Sequence, residues 1–238
     1  MKPPGARPPG IKPPGPTDGG KRQLAERVRT SKARSPQSAR WLERQLNDPY
    51  VAAARAAGYR SRAAFKLTEM DAKYRLLKPR GRVVDLGAAP GGWTQVALGV
   101  VGPAGRVVGI DLLPIPPIPG AILIEGDFRE AAAETEVLAA LDGMADLVLS
   151  DMAPNTTGHA ATDHLRIMGL AEIALDFALR VLAPGGGFVA KMFAGGSERL
   201  FLATLKRHFA QVRHVKPPAS RKDSAELYVV ATGFRREP

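Results

Sequence analysis

Seven short apolar runs recur between Arg82 and Phe234: "RVVDLG", "GRVVGIDLL", "AILIEGD", "ADLVLSDMAP", "GGFVAKMF", "QVRHVKP" and "ELYVVATGF". Segments of helical periodicity, at about 92–100, 131–141, 163–182 and 197–209, separate most of them. Strands alternating with helices dictate a mostly parallel sheet covered on both faces. The link from Lys216 to Ser224 before the last run is short and carries proline. That length suits an antiparallel pairing better than a helical crossover. Upstream, "SARWLERQLNDPYVAAARAAGYRSRAAFKLTEMDAKYRLL" spaces Trp41, Leu42, Leu46, Tyr59, Phe65, Leu67, Met70, Tyr74 and Leu77 as two or three short amphipathic helices, broken at Asp48-Pro49 and Gly58.

The first run continues as "VVDLGAAPGGWTQVA", Val83 to Ala97. It reads as a buried strand, a tight loop holding Gly87, Gly91 and Gly92, and the start of a helix at Trp93. Glycines there let a ligand approach the amides at the helix N-terminus. The spacing is neither the G-x-G-x-x-G fingerprint nor a Walker loop, so a pyrophosphate is not the ligand it suggests. An acid follows each of the first four runs, Asp85, Asp111, Asp127 and Asp151, at the carboxyl ends where open α/β sheets bind ligands. Asp111 is placed to accept hydrogen bonds from ribose hydroxyls. A nucleoside without phosphate that carries a cationic centre fits such acids, a description that S-adenosylmethionine matches.

Charge points to a polyanion as partner. The formal net charge is +11, and residues 1–40 hold ten Lys/Arg against Asp18 and Glu26. Within that region a [Lys/Arg]-Pro-Pro-Gly unit starts at Lys2, Arg7 and Lys12. Proline at this density cannot join a helix interior or a sheet, so residues 1–34 are expected to be a disordered basic arm, with residues 35–238 forming the folded domain. The arm reads as a nonspecific RNA tether or a solubilising tail. The chain has no cysteine, which excludes disulfides, thiolate metal sites and a cysteine nucleophile. It has no apolar stretch long enough to span a bilayer and no apolar core behind the N-terminal charges; a soluble, cytoplasmic protein is expected. His159 and His164 lack carboxylates at ligand spacing, so no metal is expected.

The stretches "SRAAFKL", "VVDLGAAPGGWTQ", "IDLLP", "GDF", "SDMAPN", "LAPGGGFVAKMF" and "SRKDSAELYVVATG" resemble, in order and over about residues 38–235, the FtsJ/RrmJ (RlmE) family of 23S rRNA uridine 2′-O-methyltransferases. The arm lies outside the resemblance. It implies a Rossmann-like, S-adenosylmethionine-dependent methyltransferase fold: a mostly parallel seven-stranded sheet with helices on both faces and an antiparallel last strand. It further implies S-adenosylmethionine as cofactor at Gly91, Trp93, Asp111, Asp127 and Asp151, joined here by Gly87 of the loop, and catalysis by Lys66, Asp151, Lys191 and Glu226. The substrate it implies is a uridine in the A loop of 23S rRNA within the large ribosomal subunit.

Chemistry is consistent with that set. A ribose 2′-hydroxyl needs a positioned base, and a lysine serves if a second cation and desolvation depress its pKa. Lys191 is the base on this argument, Lys66 the neighbouring cation, and Asp151 and Glu226 orient the two ammonium groups. Carbon-5 methylation would need the absent cysteine, and "DMAPN" replaces the Asn/Asp-Pro-Pro-Tyr/Phe loop of amino-group methylation. Arg60, Arg62 and Lys66, with Lys216, Arg221 and Lys222, are expected to form a basic rim, with Tyr59 available for stacking. A tRNA or cap ribose methyltransferase and a noncatalytic RNA-binding assembly factor are the competing readings, and a monomer is expected.

Overall fold

A computed structural model describes residues 46–154, 157–193, 198–221 and 223–236. The arm expected over residues 1–34, together with Trp41, Leu42 and Lys222, lies outside the described residues. In chain order the elements are α1 (Pro49–Ala56), α2 (Ala64–Tyr74), β1 (Arg82–Leu86), α3 (Gly92–Val101), β2 (Arg106–Asp111), β3 (Ile122–Glu125), α4 (Ala131–Leu141), β4 (Ala145–Ser150), α5 (Ala160–Val181), β5 (Leu182–Phe193), α6 (Arg199–His208), β6 (Phe209–Val215) and β7 (Glu226–Phe234).

The strands form one seven-stranded sheet in the order β3-β2-β1-β4-β5-β7-β6. The first five pair in parallel, and β7 runs antiparallel to both β5 and β6. The expected antiparallel final strand is therefore present, inserted between β5 and the edge strand β6. The strand order reverses between β1 and β4, and such a switch point opens a crevice at the carboxyl ends of the strands.

Successive strand residues point to opposite faces, and the sequence uses both. Val84, Leu86, Val108, Ile110, Val148, Phe188, Ala190, Val229 and Ala231 pack with α4, α5 and α6 on one side. Val83, Val107, Leu147, Leu149, Val189, Tyr228 and Val230 pack with α2 and α3 on the other. Lys191 shares its parity with Val189, and Glu226 with Tyr228, which places both on the face covered by α2. No helix among the described residues is long and apolar enough to cross a membrane.

Two boundaries differ from the sequence expectation. β5 begins at Leu182 because Pro184 and Gly185, the latter at φ +81°, carry the chain through a register shift before regular pairing resumes at Gly187. α5 begins at Ala160, one turn early, where Thr157 donates from its amide and its hydroxyl to Asp163 within the first turn.

α1 starts as its sequence dictates: Pro49 occupies the first turn, and the Asp48 carboxylate accepts from the Tyr50 amide at 3.0 Å. α2 ends with Arg75 in the left-handed region at φ 56°, and the buried Asp71 carboxylate accepts from the Leu77 amide at 2.8 Å. That bond fixes the path from α2 into β1. Asp71→Ala would leave the Leu77 amide buried without its acceptor, and a loss of about 1–3 kcal/mol is expected in urea-unfolding free energy. An unchanged midpoint would show that the turn holds without it.

Candidate active site

Four elements converge at the carboxyl end of the sheet. Lys66 lies in the first turn of α2, Lys191 near the end of β5, Glu226 at the start of β7, and Asp151 directly after β4. β5 and β7 pair with Lys191 opposite Tyr228 and Phe193 opposite Glu226, so the antiparallel register brings Lys191 and Glu226 together.

Side-chain geometry completes the contact. Lys66 Nζ lies 2.8 Å from Glu226 Oε2 and 3.9 Å from Asp151 Oδ2. Lys191 Nζ lies 2.6 Å from Asp151 Oδ1 and 3.7 Å from Glu226 Oε2, and it donates to the Asp151 carbonyl at 3.0 Å. Two cations and two anions thus alternate in a compact, mostly buried set. Burial alone would penalise every charge, but each ion has an opposite charge within hydrogen-bonding reach.

The balance sets the protonation states. Burial pushes the Asp151 carboxyl up, but the Lys191 and Lys66 ammonium groups more than offset it and hold it below the usual carboxylate range. Glu226 is lowered in the same way, by Lys66 first and then Lys191 against its burial. Burial likewise opposes the charge on Lys191, yet Asp151 and Glu226 outweigh it and raise the ammonium above the ordinary lysine range. Depression of Lys191 by Lys66 was the sequence expectation; the two carboxylates, 2.6 and 3.7 Å from its Nζ, reverse it.

Two further residues join the set. Tyr228 is fully buried; its hydroxyl accepts from Lys66 at 3.0 Å and donates to Asp151 Oδ1 at 2.6 Å. Its signal was available, since it stands two residues from Glu226 on one strand and so faces the same way. Ser220 donates to Glu226 Oε1 at 2.7 Å. It lies in an irregular connection, where periodicity carries no information.

Beside this set opens a cleft of about 540 Å³. Gly87, Asp111, Asp127 and Asp151 line it, with Ile110, Phe128, Met152 and Leu170 among its apolar walls. A Cβ on Gly87 would come 2.3 Å from Met152 Cγ, so glycine keeps the floor open. The Asp111 carboxylate accepts from the Ala89 and Leu113 amides at 2.9 Å each, which fixes its orientation at the mouth. Asp127 is paired with Arg129, whose hydrogen bonds hold its carboxyl below the usual range. Arg129 is the one cation that lines the cleft among the described residues, and it is paired with Asp127. A wall rich in acids and poor in free cations suits a nucleoside without phosphate.

Other expected site residues stand elsewhere. Gly91 and Trp93 lie outside the cleft lining. Gly91, at φ +108°, caps α3, and the buried Trp93 donates its indole N–H to the Ala63 carbonyl at 2.7 Å while packing against Tyr228. Asp85, expected among the cleft acids, is also outside: it sits one residue before the end of β1 with the parity of Val83, under α3, and accepts from the Thr94 hydroxyl at 2.7 Å. Burial pushes its carboxyl up to about 7.

The expected basic rim is largely engaged within the protein. Arg62 pairs with Asp48 and donates to the Ala219 carbonyl, Arg221 also faces Asp48, and Lys216 donates to the Ser224 carbonyl. Arg60 donates to three main-chain carbonyls, and the Tyr59 ring packs edge-on against Phe65.

Comparison with known proteins agrees with this geometry. Residues 59–234 match the model of the FtsJ-like methyltransferases. The chain is 64% identical over 219 residues to ribosomal RNA large subunit methyltransferase E of Acidiphilium cryptum, covering 92% of this chain and 96% of that one. It is 63% identical over 210 residues to the protein of the same name from Gluconobacter oxydans, covering 88% and 78%. A solved ribosomal RNA methyltransferase from Plasmodium falciparum superimposes with a TM-score of 0.66 at 31% identity, over 74% of this chain and 98% of that one. The family match spans all seven strands and every member of the charged set, and the chain belongs to the FtsJ-like methyltransferase family.

Proposed function

We propose that the chain is an S-adenosylmethionine-dependent methyltransferase that acts on the ribose 2′-hydroxyl of a uridine in the A loop of 23S rRNA, in the large ribosomal subunit. The observation that carries this reading is Asp151, which is at once a wall of the cleft and a member of the charged set. A methyl donor in the cleft and a hydroxyl at the lysines would meet at that carboxylate. Relatives at 64% and 63% identity, whose names specify the large-subunit RNA, support the substrate class.

The cleft residues fit the donor. Asp111 offers a fixed carboxylate to ribose hydroxyls, Asp127 a second acceptor held by Arg129, and Gly87 a bare stretch of backbone. Gly91 and Trp93 support the loop and the wall behind it. When bound, the donor supplies a methyl group on a positively charged sulfur.

Lys66 and Lys191 present ammonium groups to a phosphate-linked ribose, and Asp151 and Glu226 hold both lysines in register. Lys191 is the proposed base. Its raised pKa keeps it charged in the isolated protein at neutral pH. A third positive charge beside Asp151 would draw on the same carboxylate and lower the pKa of Lys191. Its neutral Nζ then accepts the hydroxyl proton as the oxygen attacks.

Labelled S-adenosylmethionine incubated with unmodified large subunits, tRNA and capped RNA, followed by nucleotide mapping, is expected to place the label on a 23S ribose. Label confined to tRNA or cap would keep the chemistry and replace the substrate, and no label anywhere would favour a noncatalytic assembly factor. Lys191→Ala is expected to lower methyl transfer by about 10²-fold or more while cofactor affinity is retained or strengthened, since a cation beside Asp151 is removed; joint loss of binding and turnover would remove the base assignment. Because the base must be neutral and its pKa is raised in the donor-free protein, log kcat/KM for the methyl donor should climb with unit slope from about pH 6 to about pH 9, whereas Asp151 and Glu226, both lowered, should add no break in that range. A flat profile would contradict proton removal by Lys191.

A further inference from the structure

Arg60 stands six residues before Lys66 in a basic segment, where a phosphate contact is the ready expectation. Its guanidinium is committed elsewhere. Nη1 donates to the Pro116 carbonyl at 2.6 Å and to the Pro90 carbonyl at 3.2 Å, and Nη2 donates to the Pro117 carbonyl at 2.8 Å. Pro90 belongs to the glycine loop after β1, and Pro116 and Pro117 to the loop after β2.

Those two loops border the cleft. Gly87 and Ala89 of the first, and Leu112 and Leu113 of the second, line it. The second loop, "LLPIPPIPG", is poorly equipped to brace itself, because Pro114, Pro116, Pro117 and Pro119 have no N–H to donate. Arg60 supplies donors from outside. The guanidinium donates from two separate nitrogens in a fixed plane and so spans three carbonyls on two segments; an ammonium group on a lysine stem donates from a single nitrogen and does not match that spread.

The fork is itself anchored. The Arg60 amide donates to Gln95 Oε1 at 2.8 Å, and Gln95 Nε2 donates to the Gly58 carbonyl at 3.0 Å, which bolts residues 58–60 to α3. The side chain then lies along Gly91: a Cβ there would come 3.3 Å from Arg60 Cδ and 2.5 Å from Ile118 Cδ1. Gly91 thus gives way to Arg60 and to Ile118, the buried residue of the proline loop.

We infer that Arg60 is a positioning residue of the methyl-donor cleft, a brace that holds the glycine loop and the proline loop at their binding separation, and that it is not a phosphate contact. The inference rests on the reading of the cleft as an S-adenosylmethionine site. Loss of the brace lets the two loops separate, so the donor must order them on binding, and its affinity falls.

The test measures S-adenosylmethionine binding to the full chain by calorimetry without RNA, and RNA affinity as a function of salt, for wild type, Arg60→Met and Arg60→Lys. Both variants are expected to bind the donor about tenfold more weakly, since methionine loses all three charge-assisted bonds and the single nitrogen of lysine does not span both loops. The slope of log affinity against log salt for RNA is expected to stay at the wild-type value. Thermal denaturation accompanies each protein, and Arg60→Lys carries the test if the methionine variant does not fold. Wild-type donor affinity in both variants, full restoration by lysine, or a salt slope reduced by about one unit would overturn the inference and return Arg60 to the phosphate role. Failure of the wild-type protein to bind the donor would instead remove the reading of the cleft, and this inference with it.

Discussion

Two lysines and two carboxylates are held within a few ångströms of one another, each largely removed from water, and none could be buried there alone. Removing one partner from such a set typically costs about 3–5 kcal/mol, because the remaining charge is stranded. The arrangement therefore constrains four separate elements at once. α2 must lie on the sheet so that Lys66 reaches β7, β5 must end beside the loop after β4, and β7 must run against β5. Tyr228 and Ser220 occupy further hydrogen-bonding positions on the carboxylates, which leaves the anions little freedom to turn.

The antiparallel β7 is what brings the last acid into the set. A parallel strand in its place would start from the opposite end of the sheet and carry Glu226 away from Lys191. Its insertion between β5 and β6 also anchors the connection that precedes it. Glu69 of α2 accepts from the Ala219 amide at 2.7 Å, and Arg62 donates to the Ala219 carbonyl. The helix that carries Lys66 therefore also fixes the segment that delivers Ser220 to Glu226.

The sheet was legible in the sequence because period-two alternation gives both strand identity and facing, whereas the charged set came from the family resemblance, and alternation supports only its two strand members. Val189 and Lys191, or Tyr228 and Glu226, share a face whatever the tertiary details. Asp85 was grouped with the other acids by its place near a strand's carboxyl end; parity with Val83 puts it under α3, where Thr94 meets it. Arg60 and Arg62 were read from charge, which is a surface signal only when the head group stays in water. Their partners are backbone carbonyls and Asp48, and main-chain acceptors leave no trace in residue type. Ser220 and the bracing of the proline loop were hidden likewise, since both depend on contacts between segments without regular structure.

On the proposed reading, the shared position of Asp151 decides when Lys191 can act. With two cations and two anions the set is balanced, and the two carboxylates hold Lys191 protonated. A cation added on the cleft side raises the count to three against two. The added charge disfavours protonated lysine and favours ionised carboxylate, so the proton that leaves comes from Lys191 and does not settle on Asp151. A base that is released only when the cleft is filled cannot deprotonate the ribose before the methyl group is in place. The same carboxylate thus couples occupancy of the cleft to readiness of the lysine through electrostatics alone, without movement of any element of the fold.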